Sequence, residues 1–141
     1  MTSLEVVGGI ASIVALIETG ASVAESFRKL VLSWRDAPKE VRSLTTQLLL
    51  LAAQLQNLQR ITGGSHPDVT DIVIRQSVSG LLNEARNHLG ELTRLHIELQ
   101  TLSRARQRLG WVLREKDVRN LLSKTQEIEQ RLANVVALMV L

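Results

Sequence analysis

The segment VRSLTTQLLLLAAQLQNLQR, residues 41–60, decides the fold. Val41, Leu44, Leu48, Leu51, Leu55 and Leu58 recur in steps of three and four, which puts them on one stripe of an α-helix. Leu49, Leu50 and Ala52 widen that stripe beyond the seam of a two-stranded coiled coil. So broad a face asks for helical neighbours on two sides, as in a four-helix bundle. Pro38 suits the first position of this helix and Glu40 its first turn, where the helix dipole favours an acid.

Upstream, residues 4–34 read as one long helix of about 45 Å at 1.5 Å per residue. Its seam is Ile10, Ile13, Ile17, Gly20, Ala24, Phe27, Val31 and Trp34, and Thr2 with Glu5 fits a capping box. The helix is unusual in two ways. Gly8, Gly9 and Gly20 each cost about 1 kcal/mol relative to Ala inside a helix. An uncharged run, Val6 to Ile17, lies between Glu5 and Glu18. Gly8, Ser12, Gly20 and Ala24 fall at multiples of four residues, a spacing that lets helices approach closely inside a bundle or in a membrane assembly. Both readings stay open on pattern alone.

Downstream, Gly63-Gly64-Ser65-His66-Pro67 marks a loop, and Asp68 is placed to cap a third helix running to about Thr101. Its seam is Val78, Leu82, Ala85, Leu89, Leu92 and Leu99, with a kink or break expected near Gly80 or Gly90. Residues 103–113 read as a short basic connector around Leu109-Gly110-Trp111. A last helix is expected from about Glu115, because Glu115 and Asp117 favour a first turn. Its seam is Val118, Leu121, Thr125, Ile128, Leu132, Val135 and Met139. The expected fold is an all-α antiparallel four-helix bundle over residues 1–141, a single domain whose apolar end suggests the N-terminal part of a longer protein.

Composition agrees with a helical bundle. Nearly half of the 141 residues are hydrophobic, yet there are one Phe, two Trp and no Tyr, a poor composition for a sandwich or barrel. The absence of cysteine removes disulfides and thiolate chemistry. The net charge of +3 is unevenly spread: residues 1–27 carry Glu5, Glu18 and Glu25 and no base, so the rest carries +6. A mildly basic body without stacking aromatics suits an anionic lipid surface better than nucleic acid. Val6–Ile17 is 12 residues, against about 20 needed to span a bilayer, and no basic n-region of a signal peptide precedes it.

Catalysis finds little support. No P-loop, HExxH or GxSxG motif occurs, and the three histidines are scattered. Glu84, His88 and Glu91 share a helix face and form a candidate metal site. A solvated face paired with Arg86 or Arg94 is the simpler explanation, so no metal, cofactor or catalytic residue is assigned and the chain is read as a non-enzyme. Arg104, Arg106, Arg108, Arg114 and Lys116 are candidates for anionic headgroup contacts or, more simply, for a solvated loop offset by Glu115 and Asp117. Trp34 and Trp111 are expected to anchor the ends of their segments.

Two stretches resemble a known family. Leu4-Glu5-Val6-Val7-Gly8-Gly9-Ile10-Ala11-Ser12-Ile13, followed by Asp36-Ala37-Pro38-Lys39-Glu40-Val41, is similar to the start of fungal HeLo-like domains. Arg108-Leu109-Gly110-Trp111-Val112-Leu113-Arg114-Glu115-Lys116, leading into Val118 and Leu121-Leu122, resembles their final helix and its lead-in. HeLo-like domains are N-terminal domains of fungal NOD-like receptors (STAND proteins) and of their partner effectors. They are similar to the four-helix bundles of mixed-lineage kinase-like pseudokinases and of plant coiled-coil resistance proteins.

The resemblance implies a cell-death or heterokaryon-incompatibility domain that oligomerises, releases its N-terminal helix and permeabilises the plasma membrane. It would be cytoplasmic at rest and membrane-bound when activated. Its implied partners are copies of itself, anionic membrane lipids, and an activating receptor or amyloid-type domain in cis or in trans. On this chain the membrane-active residues would be Leu4, Val6, Val7, Gly8, Gly9, Ile10, Ile13, Val14 and Ile17, with Glu5 and Glu18 as pore-facing acids. The alternative is a soluble signalling adaptor acting by helix–helix association.

Overall fold

The structure, a computed structural model, describes residues 2–34, 36–63, 72–101 and 104–140, and side chains within 13–34, 36–61, 76–101 and 109–140. All regular structure in these residues is helical: α1 Thr2–Ser33, α2 Lys39–Gly63, α3 Ile72–Gln100 and α4 Arg104–Val140. The α2 stripe is fully buried at Val41, Leu44, Leu48, Leu51, Leu55 and Leu58. Leu49 and Leu50, expected to broaden it, are instead about half exposed, and Ala52 is the residue that does so. Two neighbours are nevertheless present, since α2 packs on both α1 and α4.

The helices form a closed ring in the order α1, α2, α4, α3. Consecutive α2 and α3 therefore lie across a diagonal, as do α1 and α4. Named pairs fix the registers. Along α3 and α4, Glu98 meets Arg114, His88 meets Thr125 and Glu84 meets Arg131, so the two chains run in opposite directions. Gly20 lies against Leu89 and Phe27 against His96, so α1 and α3 run in the same direction. Glu40–Arg119 and Gln54–Glu129 give α2 and α4 a common direction too.

The α1–α2 turn follows from its residues. Trp34 donates its backbone N–H to the Val31 carbonyl, and Asp36 takes a left-handed conformation, φ 64°, that Asp tolerates better than most residues. The Pro38 carbonyl accepts from Val41 and Arg42, so Pro38 caps α2 one position earlier than the first-turn place expected for it. α3 passes through Gly80 and Gly90 without a break, because both lie on its exposed side where a Cβ would meet nothing within 4 Å. Asp68, the expected cap, lies outside the described residues.

The largest departure concerns α4. It begins at Arg104, so the expected basic connector of residues 103–113 is helix from Arg104 onward rather than loop. The acids at Glu115 and Asp117 mark no helix start. Tertiary packing outweighs the local signals: Gly110 is buried, and Trp111 sets its ring edge-on to Trp34 at 6.4 Å between centroids. An aromatic contact of this kind adds about 0.5–1.5 kcal/mol to the area it buries, enough to offset one helical glycine.

The core is continuous from Ile13 in α1 to Leu132 in α4. Leu55 is fully buried at the α1–α2–α3 junction, where it and Leu89 face Gly20. Leu55→Ala is expected to destabilise the fold by about 2–5 kcal/mol, measured as a lowered urea midpoint with unchanged slope. A loss below 0.5 kcal/mol, roughly that of a surface change, would place this leucine outside the core.

Candidate functional site

The candidate site comprises α1 and the start of α4. In α1 the side chains Ile13, Leu16, Val23, Ala24, Phe27 and Leu30 are buried together with Gly20, and Val14, Ile17 and Val31 are half-buried. The observed stripe is broader than the expected seam, because Leu16, Val23 and Leu30 join it. Each lies three or four residues from a seam position, as a helix touching two partners requires. The side chains of Leu4, Glu5, Val6, Val7, Gly8, Gly9 and Ile10 lie outside the described set, although their backbone belongs to α1.

Glu18 is exposed and borders a polar groove between α1 and α3, with Ser22, Ser26, Thr93 and His96. The His96 ring lies 5.5 Å from Phe27, edge-on, and lines this groove beside Ser26. Burial pulls its pKa below the usual histidine value, and the Ser26 contact opposes that shift.

Gly20 does not serve the close approach expected of it. A Cβ there would lie 3.8 Å from the Ala52 Cβ and 3.9 Å from one methyl each of Leu55 and Leu89. These are ordinary van der Waals distances, so the resting interface has room for a methyl group. Gly20→Ala should therefore stabilise the chain by about 1 kcal/mol and raise Tm by roughly 3–5 °C in a thermal melt. A lower Tm would show that the interface needs the glycine.

His88 departs from both expectations for it. It is 3% exposed, and its Nε2 lies 2.5 Å from the Thr125 hydroxyl. Thr125 gives its proton to the Leu121 carbonyl at 2.7 Å, so the Nε2–H of His88 donates to Thr125 Oγ1. The neutral ring thus has its proton on Nε2 and ties α3 to α4 inside the core. Glu84 turns instead to Arg131 at 2.7 Å and Lys124 at 3.5 Å, which leaves no shared metal site with His88. Periodicity held the missed signal: His88 stands three residues after Ala85 and four before Leu92, both seam positions, and Thr125 is the polar residue in the α4 seam.

Burial lowers the His88 pKa to about 4, with the Lys124 charge acting in the same direction. A base whose folded pKa is depressed binds more protons when unfolded. Its contribution is complete above the unfolded value near 6.5 and is lost as pH falls toward 4. Stability should fall by on the order of 2–3 kcal/mol across that window, and His88→Gln should flatten the dependence in urea titrations at several pH values. An equally steep dependence in the variant would assign the effect to other groups.

At the start of α4, Arg104, Arg106 and Arg108 occupy the first turns, with side chains outside the described set. Arg114 is turned inward to Glu98 at 2.7 Å, whereas Lys116 is exposed. Arg119 bonds Glu115 at 2.7 Å and reaches Glu40 at 3.5 Å. Thus the five basic residues expected to act together divide: Arg114 serves an α3–α4 contact and Lys116 faces solvent. Among the described residues no helix is long and apolar enough to cross a membrane. The chain matches no family model, and neither a curated protein nor a solved structure matches it.

Proposed function

We propose that this chain is a cell-death execution domain of the HeLo-like type, in which the four-helix bundle is the resting state and α1 the membrane-active element. Activation by an attached or partner domain would cluster several copies and raise their local concentration. The released helices would then assemble with apolar sides toward lipid and Glu5 and Glu18 turned to a water-filled interior. An oligomer is a required part of the proposal, because the uncharged run of 12 residues is shorter than a bilayer.

The observation that carries this reading is the uncharged run Val6 to Ile17 in α1, and the ring lets this helix leave, as it would any one of the four, with the other three still in contact. α1 packs on α2 and α3 alone, while α4 packs on both of those helices. Departure of α1 would leave α2 and α3 still joined through α4. The room beside Gly20 points the same way, since α1 keeps a helix-weakening residue that its resting contacts do not require.

Dye leakage from vesicles containing phosphatidylserine tests the proposal with the intact chain. Leakage should rise steeply with protein concentration and disappear in Val7→Glu, with a thermal melt of the variant to establish that the bundle still folds. Gly20→Ala should delay it by stabilising the resting bundle. No leakage at any concentration, even after clustering through a fused dimeriser, would leave a soluble interaction module.

A further inference from the structure

Because α4 starts at Arg104, the residues before Val118 have two sides. The inner side holds buried Gly110, Trp111 against Trp34, and Arg114 bonded to Glu98. On the outer side Leu109, Val112 and Leu113 are 62%, 66% and 73% exposed, and exposed Lys116 continues the same stripe. The spacing i, i+3, i+4, i+7 puts all four on one face, opposite the buried Val118 and Thr125. Single exposed aliphatic residues are ordinary on protein surfaces, but three adjacent ones form a patch.

Charge singles out the same stretch. Residues 104–119 hold Arg104, Arg106, Arg108, Arg114, Lys116 and Arg119 against Glu115 and Asp117, a net +4 in a chain of net +3. The rest of the molecule is therefore slightly acidic. An aliphatic stripe within a concentrated basic helix is the pattern of an interfacial membrane helix. The stripe is a convex face on one helix.

We infer that the first turns of α4 dock the folded bundle on an anionic bilayer surface. Leu109, Val112 and Leu113 enter the acyl boundary, and Lys116 on the same face meets the headgroups. The inference takes its partner from the membrane reading of α1 but assigns a different helix and a different step, reversible docking before any helix is released.

Co-sedimentation of the intact chain with phosphatidylcholine vesicles, with and without phosphatidylserine, tests it. Binding should require phosphatidylserine, weaken as salt is added, and fall about tenfold or more in the triple variant Leu109→Gln, Val112→Gln, Leu113→Gln. These side chains are exposed, so the melting curve of the variant should match that of the parent, and Lys116→Glu gives a second, single-site check. Val7→Glu should bind as the parent does while failing to cause leakage, which separates docking from permeabilisation. Equal binding to neutral vesicles, or parental binding by the triple variant, would overturn the inference. So would a parent that is dimeric in sedimentation velocity and a triple variant that is monomeric, since the stripe would then be a protein interface.

Discussion

Burial of the α2 leucine stripe is the constraint on which the other elements depend. Leu44, Leu48, Leu51, Leu55 and Leu58 lose all exposure, and one neighbouring helix cannot cover a face of that width. α1 closes one flank and α4 the other. α3 then seals the remaining side by packing on α1 and α4, across the core from α2. Apolar burial at roughly 25 cal/mol per Å² makes such a stripe the main source of stability in a helical domain of this size.

Aliphatic packing sets which surfaces meet, whereas polar groups set where along each helix they meet. The His88–Thr125 hydrogen bond fixes the α3–α4 register from inside the core. Glu98–Arg114 and Glu84–Arg131 repeat that register at the surface, where each pair contributes little by itself. In Glu84, burial works against ionisation, and the hydrogen bond and charge of Arg131, aided by Lys124, more than compensate. Leaving the Thr125 hydroxyl or the His88 ring unpaired in the core would cost more than the bond itself yields.

Helix number and the α2 seam were legible because each is written in a long run of three-and-four spacing. The start of α4 was not. Local signals there, a glycine at 110 and acids at 115 and 117, point to a later beginning, and the contact that decides otherwise joins Trp111 to Trp34 across 77 positions of sequence. Leu49 and Leu50 show the same limit from the other side: hydrophobicity marks them for burial, but the ring of four helices supplies no third neighbour for α2. In the candidate site, the anomaly of α1 was visible in composition. The room beside Gly20 and the exposed side of α4 required knowledge of which helices are adjacent.

The diagonal placement of α1 and α4 has an energetic meaning. Changes at sites that share no contacts add in their effects on stability, while those at touching sites are coupled. Along their lengths α1 and α4 share no interface, and Trp34, just past the end of α1, makes a direct ring contact with Trp111 of α4. Coupling between the body of one helix and the body of the other must therefore pass through α2 or α3. Changes in the two helices are felt by one another through the α2 and α3 side chains that both contact, so an alteration in either one over evolutionary time is answered first in those shared partners.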